Sequence, residues 1–210
     1  MKELFRKEME TLESYVPGKP IEDVMREFGL TRVVKLASNE NPLGPSPKAV
    51  EALREELAHI NIYPDPGMVD LKAALAKKHD VEPEQVLCTN GGESAIQMVS
   101  ISMLEEGDEI VVGAPSFSLY DIGAQLMGAT VRRIPLREED SNYDLEAMLD
   151  AVNEKTKIFY LCNPNNPTGT IVSKEDLQMV VERLPEDVVL FLDEAYFEFA
   201  RVHTEYPDRS

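Results

Sequence analysis

Cysteine and histidine are scarce, and each shortage argues against a class of protein. The two cysteines, Cys88 and Cys162, lie far apart in a chain of 210 residues and form no C-x-x-C motif. A disulfide scaffold is therefore excluded, and the reducing cytoplasm is the expected compartment. The three histidines form neither an H-x-x-x-H nor an H-E-x-x-H pair, so no metal site is predicted.

Basic residues and long apolar runs are also few. The 21 lysines and arginines face 39 aspartates and glutamates, which gives a formal net charge of -18. Such a surface repels nucleic-acid phosphates and anionic membranes, and no basic cluster offers an exception. The longest mostly apolar run near a predicted helix, residues 94–104, is too short to cross a bilayer. We therefore predict neither nucleic acid nor membrane as a partner.

From residue 86 onward, short apolar segments alternate with amphipathic helical segments. This alternation predicts an α/β fold with a largely parallel sheet, and the apolar run VVLFL fits a strand covered by helices on both faces. Strands are predicted at Val33–Leu36, Val86–Thr89, Glu109–Ala114, Thr130–Pro135, Lys157–Cys162 and Val188–Leu192. Earlier helices are predicted at 2–12, 21–28, 47–57 and 69–78. Ligands of such sheets bind beyond the carboxyl ends of the strands, so the loops there are candidates for function.

The loop Thr89–Ser94 (TNGGES) leads from a predicted strand into a predicted helix. Its paired glycines allow backbone to approach a ligand closely, and the start of a helix offers free N–H groups and a positive dipole end. This pattern indicates a cradle for an anion such as phosphate. The alternative is an ordinary turn in which Ser94 caps the helix.

Two further loops follow predicted strands. The loop Asn163–Gly169 (NPNNPTG) holds three asparagines between prolines that fix the backbone, although the same residues also build ordinary turns. Asp193 comes directly after the apolar strand, in the segment DEAY. A carboxylate there is costly unless it has a cationic partner, and a protonated ring nitrogen would serve. The alternatives are a solvated acid or a helix cap.

Together these motifs resemble the fold-type-I PLP-dependent aminotransferases. NPNNPTG is followed by DEAY one helix and one strand later, and SNENP (38–42), YPDPG (63–67) and PSFSLY (115–120) narrow the resemblance to the histidinol-phosphate aminotransferase family. The resemblance runs from about residue 15 to residue 199. It implies the type I fold with an incomplete large domain, residues 1–40 being the N-terminal arm with part of the small domain and residues 41–210 the PLP-binding large domain.

The implied activity is transamination of histidinol phosphate with 2-oxoglutarate in histidine biosynthesis, by a cytoplasmic homodimer that uses pyridoxal 5′-phosphate (PLP). In such an enzyme Gly92 and Glu93 would bind the PLP phosphate through backbone N–H groups, and Phe117 would stack on the pyridine ring. Asn166 and Tyr196 would hydrogen-bond the phenolic oxygen of PLP.

The resemblance gives Asp193 the central catalytic role, with Tyr196 beside it. Asp193 would pair with the pyridinium nitrogen and keep it protonated, so that the ring can act as an electron sink. Tyr63 would reach the cofactor phosphate of the partner subunit. Tyr15 and Asn39 would lie near the substrate.

The sequence departs from the family pattern in three ways. The usual Gly-Ser-Asp-Glu of the phosphate loop is Gly91–Ser94 (GGES), and Phe117 stands where the family often has tyrosine. The family's Schiff-base lysine lies beyond the DEAY strand, and this chain has no lysine after Lys174. We therefore expect an N-terminal fragment that is itself inactive. A PLP-dependent decarboxylase of a phosphorylated amino acid and a non-catalytic module that keeps the fold remain as alternatives.

Overall fold

Four parallel strands form a single sheet in this computed structural model, which describes residues 4–10, 12 and 18–207. The strands are β1 (Glu109–Ala114), β2 (Thr130–Pro135), β3 (Thr156–Cys162) and β4 (Val189–Asp193). Their order across the sheet is β2-β1-β3-β4, and all three neighbouring pairs are parallel. The predicted parallel α/β architecture is confirmed.

Eight helices accompany the strands in the described part of the chain. They are α1 (Ile21–Phe28), α2 (Pro47–Glu56), α3 (Val69–His79), α4 (Gly91–Met103), α5 (Leu119–Leu126), α6 (Leu145–Asp150), α7 (Lys174–Arg183) and α8 (Phe197–Ala200). Short 3₁₀ turns occur at Lys7–Glu10 and Pro83–Gln85. Ser173 caps α7 as predicted, because its hydroxyl accepts a hydrogen bond from the N–H of Asp176 at 3.0 Å.

Alternate residues of the central strands supply two separate apolar cores. Ile110 and Tyr160 belong to the core between the sheet and helices α4 and α5. Val111, which follows Ile110, and Phe159, which precedes Tyr160, belong to the core between the opposite face of the sheet and helices α6 and α7. All four side chains are at most 1% exposed. Since successive side chains of a strand point to opposite faces, these strands need a helical layer on each side, as predicted.

Three predicted elements differ from the structure. Val33–Leu36 and Val86–Thr89 are not strands, and the helix predicted over residues 2–12 is reduced to the 3₁₀ turn Lys7–Glu10 within the described residues. The two apolar segments have strand-like composition, but neither pairs with a strand in the described chain. A strand needs a neighbour to take up its backbone N–H and C=O groups, which composition alone does not supply.

Contacts divide the chain into two compact units, Val16–Cys88 and the combination of Met1–Tyr15 with Thr89–Ser210. The second unit contains the whole sheet, whereas the first contains α1, α2 and α3. These boundaries differ from the predicted division at residue 40, and the roles assigned to residues 1–40 and 41–210 stay predictions. No helix in the described ranges is both long and apolar enough to span a membrane.

Candidate functional site

The sheet has a topological switch point between β1 and β3. The chain leaves β1 towards β2 on one side, and it returns to place β3 and then β4 on the other side. Pairing between β1 and β3 ends at Val112 and Tyr160, although both strands continue for two more residues. The strands therefore part at their carboxyl ends, and a crevice at such a point is the usual ligand site of an open parallel sheet.

Asp193 is the last residue of β4 and lies opposite Cys162 of β3. Both oxygens of its carboxylate accept hydrogen bonds. Oδ2 accepts from the Tyr120 hydroxyl at 2.7 Å, and Oδ1 accepts from the N–H of Ala195 at 3.0 Å. The half-buried carboxylate is thus held in one orientation, while each oxygen keeps a lone pair for a cation.

The three asparagines of NPNNPTG have different surroundings. Asn163 is buried, and its side-chain amide bonds both backbone groups of Val172, at 2.9 and 3.1 Å. Asn165 is also buried and bonds the Pro115 carbonyl at 3.1 Å. Asn166 is half-buried, with its amide nitrogen 3.5 Å from the Tyr196 hydroxyl. Asn163 and Asn165 therefore shape the loop. Asn166 lies beside Tyr196, the residue predicted to bind the same cofactor oxygen.

A buried tyrosine that the sequence analysis missed joins the loops after β1 and β3. The Tyr143 hydroxyl donates to Asn165 Oδ1 at 2.7 Å and accepts from the Cys162 N–H at 3.2 Å. The Asn165 oxygen also accepts from the Ser116 hydroxyl at 2.9 Å. Burial raises the pKa of Tyr143, which keeps its hydroxyl protonated. This network fixes the two loops where the strands separate.

Tyr120 on α5 was also missed, although it bonds Asp193 directly. It is fully buried, and its ring stacks on Tyr160 with centroids 4.5 Å apart and planes 17° apart. Phe117, the predicted stacking residue, meets Tyr120 edge-to-face at 5.7 Å. The only signal in the sequence was a tyrosine on an apolar helix face, since a buried tyrosine hydroxyl usually has a partner. The sequence did not indicate that this partner is Asp193, which lies 73 residues further along the chain.

Helix α4 begins at Gly91, so Ser94 lies in its first turn and does not cap it. The Ser94 hydroxyl instead donates to the Asn90 carbonyl at 3.1 Å, and the Asn90 side chain makes no capping bond. Gly91 has a φ of 77°, a left-handed conformation that favours glycine. A Cβ at either Gly91 or Gly92 would meet no atom within 4 Å. The N–H of Gly91 donates to the Thr89 carbonyl at 2.9 Å, so the N–H groups that follow it, beginning with Gly92, are the candidates for ligand binding at this helix start.

The direction of α4 places this helix start at the carboxyl edge of the sheet. A 13-residue helix is about 20 Å long, about as long as β1. Its carboxyl end leads through residues 104–108 into the amino end of β1, so its amino end lies towards the other edge. Exposed Gly92 and Glu93 therefore lie at the edge that also carries Asp193.

The remaining predicted residues are outside the described part of the unit that contains the sheet. Tyr63 and Asn39 belong to the unit Val16–Cys88, and the Tyr63 side chain is 97% exposed. Tyr15 lies outside the described residues. The structure therefore brings five predicted features to one edge of the sheet, namely the α4 start, Phe117, Asn166, Asp193 and Tyr196.

This edge offers complementary groups for a planar, phosphorylated heterocycle. The Asp193 carboxylate can pair with a protonated ring nitrogen. The Asn166 amide and the Tyr196 hydroxyl can donate to an oxygen attached to the ring. The N–H groups at the start of α4 can hold a phosphate despite the acidic protein, because they and the helix dipole act locally. The partly buried aromatic ring of Phe117 could cover the heterocycle.

Known proteins resemble the chain in sequence and structure. The family described as aminotransferase class I and II matches residues 31–208. A histidinol-phosphate aminotransferase from Carboxydothermus hydrogenoformans is 47% identical over 205 residues, covering 98% of this chain and 56% of that protein. One from Brevibacillus brevis is 47% identical over 193 residues, covering 92% and 52%.

A solved structure has the same fold. Histidinol-phosphate aminotransferase from Sinorhizobium meliloti, crystallised in complex with pyridoxal-5′-phosphate, superposes with a TM-score of 0.82 at 27% identity, over 93% of this chain and 52% of that one. The chain thus spans about half the length of the relatives that it matches. The match over most of its own length identifies it as a member of the aminotransferase class I and II family.

Proposed function

We propose that this chain forms the cofactor-orienting part of a PLP-dependent aminotransferase that converts histidinol phosphate with 2-oxoglutarate, in histidine biosynthesis. The observation that carries the proposal is Asp193, a half-buried carboxylate with both oxygens held at the end of an apolar strand. A carboxylate fixed in this way is suited to a cationic ring nitrogen. The relatives at 47% identity support the choice of substrate.

The donor set at the carboxyl edge fits PLP. When bound, PLP supplies an electron-withdrawing ring that takes up the electron pair released at the α-carbon of the substrate. Asp193 holds the proton on the ring nitrogen, which maintains that capacity. Asn166 and Tyr196, 3.5 Å apart, donate to the phenolic oxygen and set the rotation of the ring in its plane.

The other residues bind and shield the cofactor. Gly92 and Glu93 bind its phosphate through their N–H groups, and the absence of a Cβ at Gly92 leaves room for the phosphate oxygens. Phe117 covers one face of the ring and excludes water there. Lower water access strengthens the interaction between Asp193 and the ring nitrogen, since charges interact more strongly at low dielectric.

We also propose a cytoplasmic homodimer, in which Tyr63 serves the partner subunit. Tyr63 lies almost fully exposed between Ile62 and Pro64, in an acidic, cysteine-poor chain. Its hydroxyl would donate to the cofactor phosphate of the other subunit, while Asn39 and Tyr15 would lie near the substrate.

Tyr63→Phe should weaken PLP binding about tenfold, which is the effect of losing one hydrogen bond to a charged group, and it should leave the dimer intact. Equilibrium dialysis and light scattering measure the two effects, and unchanged PLP affinity contradicts the cross-subunit role.

The assignment is tested by Asp193→Asn, with Asp187→Asn as the control for loss of one acidic charge at an exposed position. PLP binding to the 210-residue chain is followed by equilibrium dialysis and absorbance. Turnover is measured in protein expressed from the complete reading frame, as glutamate formed from 2-oxoglutarate and histidinol phosphate. Asp193→Asn should reduce kcat by about 10²- to 10³-fold, the effect of removing a preorganised electrostatic partner.

Three outcomes contradict the proposal. An Asp193→Asn enzyme within a few-fold of wild type removes the role of the carboxylate. Release of CO₂ from a phosphorylated amino acid, without amino transfer, indicates the decarboxylase. Failure of both the chain and the complete protein to bind PLP indicates a non-catalytic module.

A further inference from the structure

Tyr120 connects the sheet core to the carboxylate of the proposed cofactor site. Its hydroxyl lies 2.7 Å from Asp193 Oδ2, and its side chain is fully buried. The other carboxylate oxygen is held by the rigid backbone N–H of Ala195. Two donors on two different oxygens fix both the position and the plane of the Asp193 carboxylate, which one donor alone would leave free to rotate.

The hydroxyl of Tyr120 is a permanent donor to this carboxylate. Burial, and then the neighbouring Cys162 and Asp193, raise the pKa of Tyr120 far above its usual value. The Cys162 thiol is also kept in its neutral form, because burial raises its pKa, and it donates to the Pro164 carbonyl at 3.2 Å. Tyr120 therefore keeps its proton throughout the working pH range.

The ring of Tyr120 is held as firmly as its hydroxyl. Tyr160 stacks on one side at 4.5 Å, Phe191 packs against it at 6.4 Å, and Phe117 meets it edge-to-face at 5.7 Å. Tyr120 therefore contacts both the residue proposed to cover the cofactor ring and the residue proposed to pair with its nitrogen. Aromatic packing of this kind fixes a side chain at low cost in entropy.

We propose that Tyr120 is a positioning residue, which holds the Asp193 carboxylate in the plane and at the height that the protonated ring nitrogen of the cofactor requires. The inference rests on the proposed function and extends it to a residue outside the set that would touch PLP. Loss of the Tyr120 hydroxyl lets the carboxylate rotate about its Cβ–Cγ bond, and the pairing with the ring nitrogen is weakened while the other cofactor contacts remain.

The chain offers a matched control for removal of this hydroxyl. Tyr160 is 1% exposed and stacks on Tyr120, but its hydroxyl has Ser100 as its polar neighbour and makes no well-formed hydrogen bond within the described residues. Tyr120→Phe and Tyr160→Phe therefore delete the same atom from the same stack, and only the first deletion reaches Asp193.

The test compares two ligands on the 210-residue chain by equilibrium dialysis. One is PLP, and the other is its 1-deaza analogue, in which a C–H group replaces the ring nitrogen. Tyr120→Phe should weaken PLP binding about threefold to tenfold, the effect of one lost hydrogen bond, and change binding of the analogue by less than about twofold. Tyr160→Phe should change neither. The ¹⁵N shift of ring-labelled PLP should move in Tyr120→Phe alone, as the spectroscopic sign of altered pairing with Asp193.

A second variant guards against a folding defect in Tyr120→Phe. Replacement of Tyr120 by 4-aminophenylalanine keeps the ring and returns an N–H donor near the same place, so the preference for PLP over the analogue should recover. Equal losses for both ligands, or equal losses in the Tyr120 and Tyr160 variants, overturn the positioning role. If Asp193→Asn also weakens binding of PLP and of its analogue equally, the proposed function fails. If Asp193→Asn weakens binding of PLP alone but Tyr120→Phe does not, only the positioning role fails.

Discussion

Replacement of Tyr143 by phenylalanine removes the hydroxyl that bridges the separating strands. At the end of β3 this single oxygen accepts from the Cys162 N–H at 3.2 Å and lies 3.1 Å from the Cys162 carbonyl oxygen. It thus occupies the place that a residue of β1 would take, because β1–β3 pairing stops two residues earlier. The side chain is 2% exposed, so water cannot easily substitute for it.

The cost of this change follows from the groups that lose a partner. Asn165 Oδ1 keeps the Ser116 hydroxyl at 2.9 Å, so its loss is partial. The Cys162 N–H is left buried without that acceptor, and an unsatisfied buried donor costs about 1–3 kcal/mol. Phenylalanine keeps the aromatic ring, so the only cavity that the change creates has the volume of the missing oxygen atom. We therefore expect Tyr143→Phe to lower the free energy of unfolding by about 1–3 kcal/mol.

Urea denaturation followed by circular dichroism measures this difference, with an unchanged m-value showing that the unfolded state is the same. Tyr160→Phe is the control, since it also removes a buried hydroxyl, and the neighbouring Ser100 hydroxyl keeps its hydrogen bond to the Ile96 carbonyl. We expect that control to be neutral or slightly stabilising. Equal stability losses in the two variants would refute the assignment of the Tyr143 hydroxyl as the bridge at the end of β3.

Two further changes probe the same unit. Gly113→Ala places a Cβ in steric conflict with the Tyr143 ring and should destabilise the fold by about 1–3 kcal/mol, whereas a Cβ at Gly92 meets no atom within 4 Å and Gly92→Ala should not. Thermal unfolding compares the two variants, and equal Tm values contradict the clash. The hydrogen bonds from Arg132 hold the pKa of Glu109 below its usual value of 4.5, so Glu109 stabilises the fold above about pH 4.5 and loses this effect as the pH falls. Glu109→Gln should therefore cost roughly 1 kcal/mol at pH 7 and progressively less below pH 4.5, and a pH-independent difference in urea unfolding would rule out the charge effect.

Local sequence alone determined the four strands of the sheet and most helices. The predicted bounds Glu109–Ala114 and Thr130–Pro135 agree with β1 and β2, and Ile21–Phe28 agrees with α1. Short runs of four to eight residues that are rich in β-branched residues and bounded by turn residues favour strands over helices, so these strands could be predicted from local sequence. Val86–Thr89 has the same local pattern, but it forms no strand because a strand also requires a neighbouring edge.

The candidate site could be predicted only as a set of loops. The order of the strands was not readable from the sequence, and it is this order that brings the end of β4 beside the end of β3. The sequence indicated NPNNPTG as a unit, and only the tertiary structure distinguished the buried Asn163 and Asn165 from the half-buried Asn166. Their burial depends on neighbours 9 to 50 residues away, which no local pattern contains.

Tyr120 and Tyr143 mark the limit of what the sequence by itself could determine. Tyr120 lies on an apolar helix face, which favours its burial, whereas Tyr143 stands between Asn142 and Asp144, and nothing in the local sequence indicates that it is buried. The sequence placed Asp193 at the end of an apolar strand and implied that it needs a partner, since a carboxylate there is costly alone. The tertiary structure decided that the first partner is the Tyr120 hydroxyl, because hydrogen bonds need atoms within about 3 Å, and folding alone brings together residues 73 positions apart.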